Sequence, residues 1–340
     1  KLNRAALFKG REDIAQSLVT LFRSRGNPTL VLYGPRRMGK TSFLLQLPRL
    51  LPANYVPVYL DMQGGGAQQN DASFMYEIAR AISRQLKTES NLAPPSLAEF
   101  ENHPYTTLIP WLDDEVFLLL RDRKLFITID EFEVIGDAIR RGSLTEQILG
   151  FLRHLMQHNE NIILMFAGVR TIEALGPNPA SYFITANLVE MSYLNKKEAE
   201  ELIVNPDPSA GKMPEYDENV IAKILEITHC QPYLIQAICS VIIDIANSKN
   251  ITRIEDKILG QAVEDILHKS LYFQNIWDDA LSEGQAILKK LVDETETINL
   301  AIYSSEALKG LLHRHVIYKK SDGTYSIEIP LIATWISMQV

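Results

Sequence analysis

At 340 residues the chain is too long for a single core, since single cores stop growing near ~250 residues, and it is expected to hold two or three packed units. Hydrophobic residues at 46% and charged residues at 22% exclude a disordered chain, and a net charge of −8 excludes a globally basic nucleic-acid binder while leaving room for one basic face. The two cysteines, Cys230 and Cys239, have no second pair and fit small core side chains in a reducing, cytoplasmic compartment better than a disulfide or zinc site. No apolar run approaches the ~18 residues that span a bilayer, and no signal-peptide pattern opens the chain. The first residue is Lys1 rather than methionine, and we expect an excised fragment of a longer protein.

In chain order, Thr29-Leu-Val-Leu-Tyr33 reads as a short buried parallel strand, and Gly39 through Leu51 as a helix with apolar residues at Phe43, Leu44, Leu47 and Leu50. Tyr55 to Asp61 is a second strand candidate, Ala72 to Leu86 a helix, and residues 88–107, with Pro94-Pro95, a loop or insertion. Ile109 to Leu120 leads as a helix into the apolar strand Lys124-Leu-Phe-Ile-Thr-Ile-Asp130. A helix around 144–158 precedes the strands Asn161 to Ala167 and Ala186 to Met191. Strands alternating with helices predict a parallel α/β sheet covered on both faces. From Asn195 to about residue 270 the spacing is helical, with Asn205-Pro-Asp-Pro208 breaking the first helix. Leu281 to Leu291 and Ser304 to Leu312 are helix candidates, and Val316 to Lys319 and Tyr325 to Ile329 alternate as a hairpin around Asp322-Gly323. Helices followed by a small hairpin predict a winged helix, with Trp277 and Trp335 as core anchors.

The sequence between Gly34 and Thr41 has the spacing G-x-x-x-x-G-K-T, placed between a strand and a helix as a phosphate loop requires. Glycines let backbone N–H groups turn inward around phosphates, and the helix N-terminus adds positive potential. The loop residues Gly34, Pro35, Arg36, Arg37, Met38, Gly39, Lys40, Thr41 and Ser42 are therefore expected to hold a nucleotide, with Lys40 reaching the β- and γ-phosphates. The Thr41 hydroxyl is expected on Mg²⁺, and Asp130 at the end of its strand is expected to hold the metal through water. Glu131 would polarise the attacking water as a general base. Arg36 and Arg37 have either phosphates, solvent or an acidic neighbour as partners. His229 reads as a satisfied core or surface group, and Arg140-Arg141 as a solvated basic turn.

Gly34-Pro-Arg-Arg-Met-Gly-Lys-Thr-Ser-Phe-Leu resembles the loop of the STAND class of P-loop ATPases in the AAA+ superfamily, particularly archaeal-ATPase-like and bacterial relatives. Leu7-Phe-Lys-Gly-Arg-Glu12 resembles the motif before the first strand of that class, which implies that Phe8, Gly10 and Arg11 lie on the adenine side. Leu194 to Ile203 resembles the first helix of a helical lid, and Thr228 to Gln236 the Gly-x-Pro segment whose proline, here Pro232, packs near the nucleotide; Cys230 stands at the glycine. Arg170 stands where the class often has an arginine that senses the γ-phosphate. Ala167 and Gly168 occupy the strand end where motors carry a polar residue, and residues 174–184 offer no convincing arginine finger.

The resemblance implies a five-stranded parallel sheet of order 5-1-4-3-2, with a nucleotide-binding α/β domain over 1–193, a helical lid over 194–270 and a winged helix over 271–340. It also implies ATP/ADP and Mg²⁺ as ligands and a slow ATPase acting as a signalling switch. Sensor or effector protein modules and nucleotide-dependent self-association are the implied partners. A DNA-binding ATPase similar to origin-recognition or transposition regulators is the runner-up. His313, His315, Arg314, Lys319 and Lys320 would form its basic wing, although Glu283, Asp293, Glu294, Glu296, Glu306, Asp322 and Glu328 offset them. A remodelling motor would need the arginine finger, and a degenerate scaffold would not need Asp130 and Glu131.

Overall fold

The short apolar runs of the first half pair with one another in a single parallel sheet. A computed structural model describes residues 7–25, 28–169, 186–207, 213–293 and 304–339 of the chain. Two compact units are found: one takes in Arg11–Gly34 and Lys40–Met191, the other residues 7–10, Pro35–Gly39 and Ser192–Val340.

The first unit carries β1 (Thr29–Tyr33), β2 (Tyr55–Asp61), β3 (Lys124–Asp130), β4 (Ile162–Gly168) and β5 (Asn187–Glu190). Their order is β2-β3-β4-β1-β5, the expected 5-1-4-3-2 read from the other edge, and every pairing is parallel. β4 is buried along its whole length and β3 along all but its first residue, as strands covered on both faces must be. Phe126, Phe132 and Phe166 are fully buried there, each such side chain contributing about 1.5–3 kcal/mol. Asp130 lies in register with Asp61 on one side and Ala167 on the other, so the carboxyl ends of β2, β3 and β4 finish level. Functional side chains on neighbouring strands therefore meet at one edge of the sheet.

Among the described residues the helices of this unit are α1 (Glu12–Arg25), α2 (Lys40–Leu50), α3 (Asp71–Leu86), α4 (Leu97–Asn102), α5 (Leu108–Trp111), α6 (Phe117–Leu120), α7 (Glu133–Arg141) and α8 (Gln147–His158). α4 falls within the stretch read as a loop. Ser96 and Glu99 form a reciprocal capping box there, a local signal that the two prolines upstream outweighed in the sequence reading. The expected helix over 109–120 is α5 and α6 joined by a π-helical turn, Leu112–Val116. α7, not anticipated, starts directly after the acidic turn of β3 and stops at Gly142, whose φ of 76° is the left-handed form that glycine adopts without strain.

The second unit contains α9 (Lys196–Val204), α10 (Glu218–Thr228), α11 (Pro232–Lys249), α12 (Asp256–Lys269), α13 (Leu271–Asp279), α14 (Leu281–Asp293), α15 (Ser305–His313) and α16 (Pro330–Ser337). The first helix ends at Val204, before the Asn-Pro pair, as its sequence requires. Two short strands missed by periodicity, β6 (Glu215–Tyr216) and β7 (Arg253–Ile254), pair in parallel. β8 (Ile317–Lys319) and β9 (Tyr325–Ile327) form the expected antiparallel hairpin, with Gly323 at φ 88° in its turn. Together with α14, α15 and α16 this is the pattern of a winged helix. One apolar core runs from Leu194 to Ile336, and the Trp277 and Trp335 rings meet in it at 6.3 Å. Both cysteines are free thiols, and burial pushes the Cys239 thiol up to about 12, which makes it an inert core group. Among the described residues no helix is long and apolar enough to cross a membrane.

Candidate functional site

Gly34 ends β1 with φ 155°, and a Cβ placed on it would collide with the carbonyl oxygen of Met191. The strand β1 and the chain leaving β5 approach this closely because the Met191 N–H donates to the Tyr33 carbonyl at 2.7 Å. Only glycine fits. Gly39, at φ 92°, opens the helix side of the loop with nothing within 4 Å of where a Cβ would be. Lys40, the first residue of α2, is 7% exposed and its Nζ donates to the Gly34 carbonyl at 2.7 Å. The ammonium is thereby held across the mouth of the loop it belongs to.

The next residue, Thr41, donates its hydroxyl to Asp130 Oδ2 at 2.6 Å. Asp130 is 1% exposed, and a buried carboxylate is costly unless its oxygens are satisfied. Here the Tyr59 hydroxyl donates to Oδ2 at 3.0 Å and the Glu131 N–H to Oδ1 at 3.1 Å. Burial and then the Asp130 charge raise the Tyr59 phenol well above its ordinary pKa, so it stays a donor. Glu131 has φ 55°, a left-handed backbone that costs a residue with a Cβ about 1–2 kcal/mol. Unfavourable backbone of this kind collects at functional turns.

Does this arrangement suit Mg²⁺? Among the described residues no cluster of three His, Cys, Asp or Glu side chains could hold a metal. A P-loop does not call for one, because Mg²⁺ takes one or two protein oxygens together with phosphate and water. Thr41 gives its proton to Asp130 and keeps its oxygen lone pairs for a cation. The donor set fits the ion.

In the second unit the loop arginines have definite partners. The Arg37 guanidinium lies 4.1 Å from the Tyr233 ring centre and 5.4 Å from that of Tyr272. Tyr272 accepts a hydrogen bond from Gln231 Nε2 at 2.6 Å, and burial pushes its phenol up to about 12, so the arginine meets a neutral Tyr272 beside Tyr233 in a cation–π contact. Arg36 is largely exposed, with Nη1 3.9 Å from Asp279 Oδ2, an ion pair worth little in water. Pro232 takes the first turn of α11. Ahead of it His229 and Cys230 have φ 49° and 56°, so Cys230 adopts the conformation glycine would favour at that place. His229 is a satisfied group as expected, its ring 4.7 Å from Tyr193 and its Nε2 3.7 Å from Glu328. Phe8 is buried, and Gly10 and Arg11 have φ 73° and 72°. Arg170 and residues 174–184 lie outside the described residues.

No protein-family model matches the chain. An uncharacterized ATP-binding protein of Pyrococcus abyssi is 23% identical over 215 residues, 56% of this chain and 64% of that protein, so the match spans less than two thirds of the relative's length. A Walker-type ATPase of Pyrococcus abyssi superposes with a TM-score of 0.67 at 15% identity, over 98% of this chain and 97% of that one. The ORC2 protein of Aeropyrum pernix, in ADPNP-ADP complexes, gives a TM-score of 0.63 at 13% identity, over 96% and 93%. The ORC1 protein of the same organism, in complex with DNA, gives 0.51 at 16% identity, over 98% and 93%.

The chain has the fold of that Walker-type ATPase.

Three partners of the loop and the acidic turn escaped the sequence reading: Tyr59, the Tyr233–Tyr272 pair and Glu133, whose carboxylate accepts from the Val169 N–H at the end of β4. Period-two alternation puts Tyr59 on one face with Asp61, but nothing in it says which strand lies beside β2. The close approach at Gly34 has a measurable consequence. Gly34→Ala is expected to destabilise the first unit by about 1–3 kcal/mol through overpacking, seen as a melting midpoint lower by several degrees. Unchanged melting would mean that the Met191 carbonyl yields to the new methyl group.

Proposed function

We propose that the chain is a Mg²⁺-dependent ATP-binding and slowly hydrolysing switch of STAND type, in which ADP/ATP exchange is coupled to conformational change or self-association. The observation that carries this reading is the set Gly34, Lys40, Thr41 and Asp130: a buried ammonium drawn over a glycine-bounded loop, beside a hydroxyl already oriented by a buried carboxylate. In this reading Lys40 and the loop N–H groups of residues 34–42 bind the phosphates. Thr41 and, through water, Asp130 hold the ion, and Glu131 takes a proton from the attacking water. Mg²⁺, when bound, would neutralise phosphate charge. Phe8, Gly10, Arg11 and Pro232 face the adenine side, and Arg170 senses the γ-phosphate. Residues 1–193 form the nucleotide domain, 194–270 the lid and 271–340 a winged-helix brace, with effector or sensor modules as partners.

Likeness to a Walker-type ATPase, to an ORC2 protein in nucleotide complexes and to an ATP-binding relative supports the nucleotide part of this reading. Calorimetry is expected to give saturable binding of ATP and ADP that weakens when Mg²⁺ is chelated, and the mass in solution is expected to change between ADP and ATP. Absence of heat with either nucleotide sinks the reading, and a constant mass sinks its self-association branch.

Likeness to a DNA-bound relative favours the DNA-binding alternative, as do Lys319 and Lys320, exposed on the hairpin. Against it, Arg314 donates to the carbonyls of Gly310 and Asp279 and is spent within the protein. Duplex binding that falls steeply with salt and disappears on neutralising Lys319 and Lys320 would reverse the order of the two readings.

A further inference from the structure

The turn that carries Asp130 and Glu131 is tied to the neighbouring strand by a residue outside the phosphate-loop machinery. Asp130 pairs in register with Ala167, and one residue past Glu131 the Phe132 N–H donates to the Ala167 carbonyl at 3.2 Å. The Phe132 ring is fully buried, edge-on to Phe166 at 5.9 Å. Glu133 then turns its carboxylate back over the end of β4, where Oε1 accepts the Val169 N–H. Gly168 makes room for it: a Cβ there would fall inside the Glu133 carboxyl group. Between these ties Glu131 is held at φ 55°, its own carbonyl accepting the Val134 N–H at 3.0 Å.

We infer that Glu133 is a positioning residue for Glu131, clipping the acidic turn to the end of β4, with Gly168 kept free of a side chain so that the clip can close. The physical case is that a left-handed non-glycine residue persists only where its surroundings over-determine it. The pairing of Asp130 with Ala167 fixes the chain before Glu131, and after it a buried aromatic and a backbone bond fix Phe132 while the charge-assisted bond from Val169 fixes Glu133. An acidic residue in the first turn of α7 would also suit the helix dipole, but that role needs neither the bond to Val169 nor the missing Cβ at 168.

The inference rests on the ATPase reading above, and the test separates the two. Glu133→Ala is expected to lower kcat for phosphate release about tenfold or more while nucleotide affinity stays within about threefold. Glu133→Gln keeps an acceptor for the Val169 N–H and is expected to restore turnover to within about threefold of wild type. Gly168→Ala pushes the carboxylate away and is expected to match Glu133→Ala, and the double variant should be no worse than either single one. Amide exchange supplies a readout independent of activity: the Glu131, Phe132 and Val169 N–H groups should exchange about tenfold faster in Glu133→Ala and Gly168→Ala, and at the wild-type rate in Glu133→Gln. Additive losses from the two sites, or unchanged exchange at Glu131 in Glu133→Ala, overturn the inference. Wild-type protein that releases no phosphate overturns the ATPase reading instead, and the exchange rates still decide whether the clip exists.

Discussion

Glu131→Gln is expected to cut steady-state phosphate release by a factor of about 10²–10⁴, the usual contribution of a positioned general base, while binding ATP as tightly as the wild type. The substitution removes the basic oxygen and leaves the backbone of the turn intact. Glutamine has the same length, and the backbone bonds around residue 131 come from N–H and carbonyl groups that it retains: its N–H on Asp130 Oδ1 and its carbonyl under Val134. Loss of both binding and turnover would place Glu131 in the structure of the turn rather than in the chemistry. Turnover at the wild-type rate would remove the general-base assignment. The same experiment tests the non-hydrolysing scaffold, which needs any phosphate release by the wild type to be independent of Glu131.

Lys40→Ala is expected to act one step earlier, on binding itself. Hydrogen bonds to charged groups contribute about 1.5–3 kcal/mol, so losing the ammonium should weaken ATP and ADP by about 10–100-fold in calorimetry. The variant should still fold: Lys40 sits at the start of α2, where alanine is at least as good a helix former, and loss of its bond to the buried Gly34 carbonyl is expected to cost about 1–3 kcal/mol of stability. Unchanged affinity in a folded Lys40→Ala variant would show that the loop holds no phosphate.

Sequence reading and structure agree most closely on the local elements around these two residues. The loop's spacing, the strand before it and the helix after it are local: backbone conformations at Gly34 and Gly39, an apolar run, an amphipathic repeat. Each is set within a few residues, so each was legible, as were the parallel sheet, its order through the family resemblance, and the C-terminal hairpin turning on Asp322-Gly323. The elements that escaped are short or lack a periodic signature. α7 follows the acidic turn with no linker, and β6 and β7 are only two residues each.

What the sequence by itself determined is therefore the set of groups on offer: a glycine-bounded loop with its lysine and threonine, an acidic pair on a strand end, and an α/β unit to carry them. The tertiary structure alone decided how those groups are held. Tyr59 reaches Asp130 across 71 positions of sequence, and Glu133 reaches Val169 across 36. Arg37, conspicuous in the loop, proved to lie over Tyr233 on α11. Strand order, register and helix direction set these contacts. Period and spacing say which face a side chain takes, and only the packed chain says what stands opposite it.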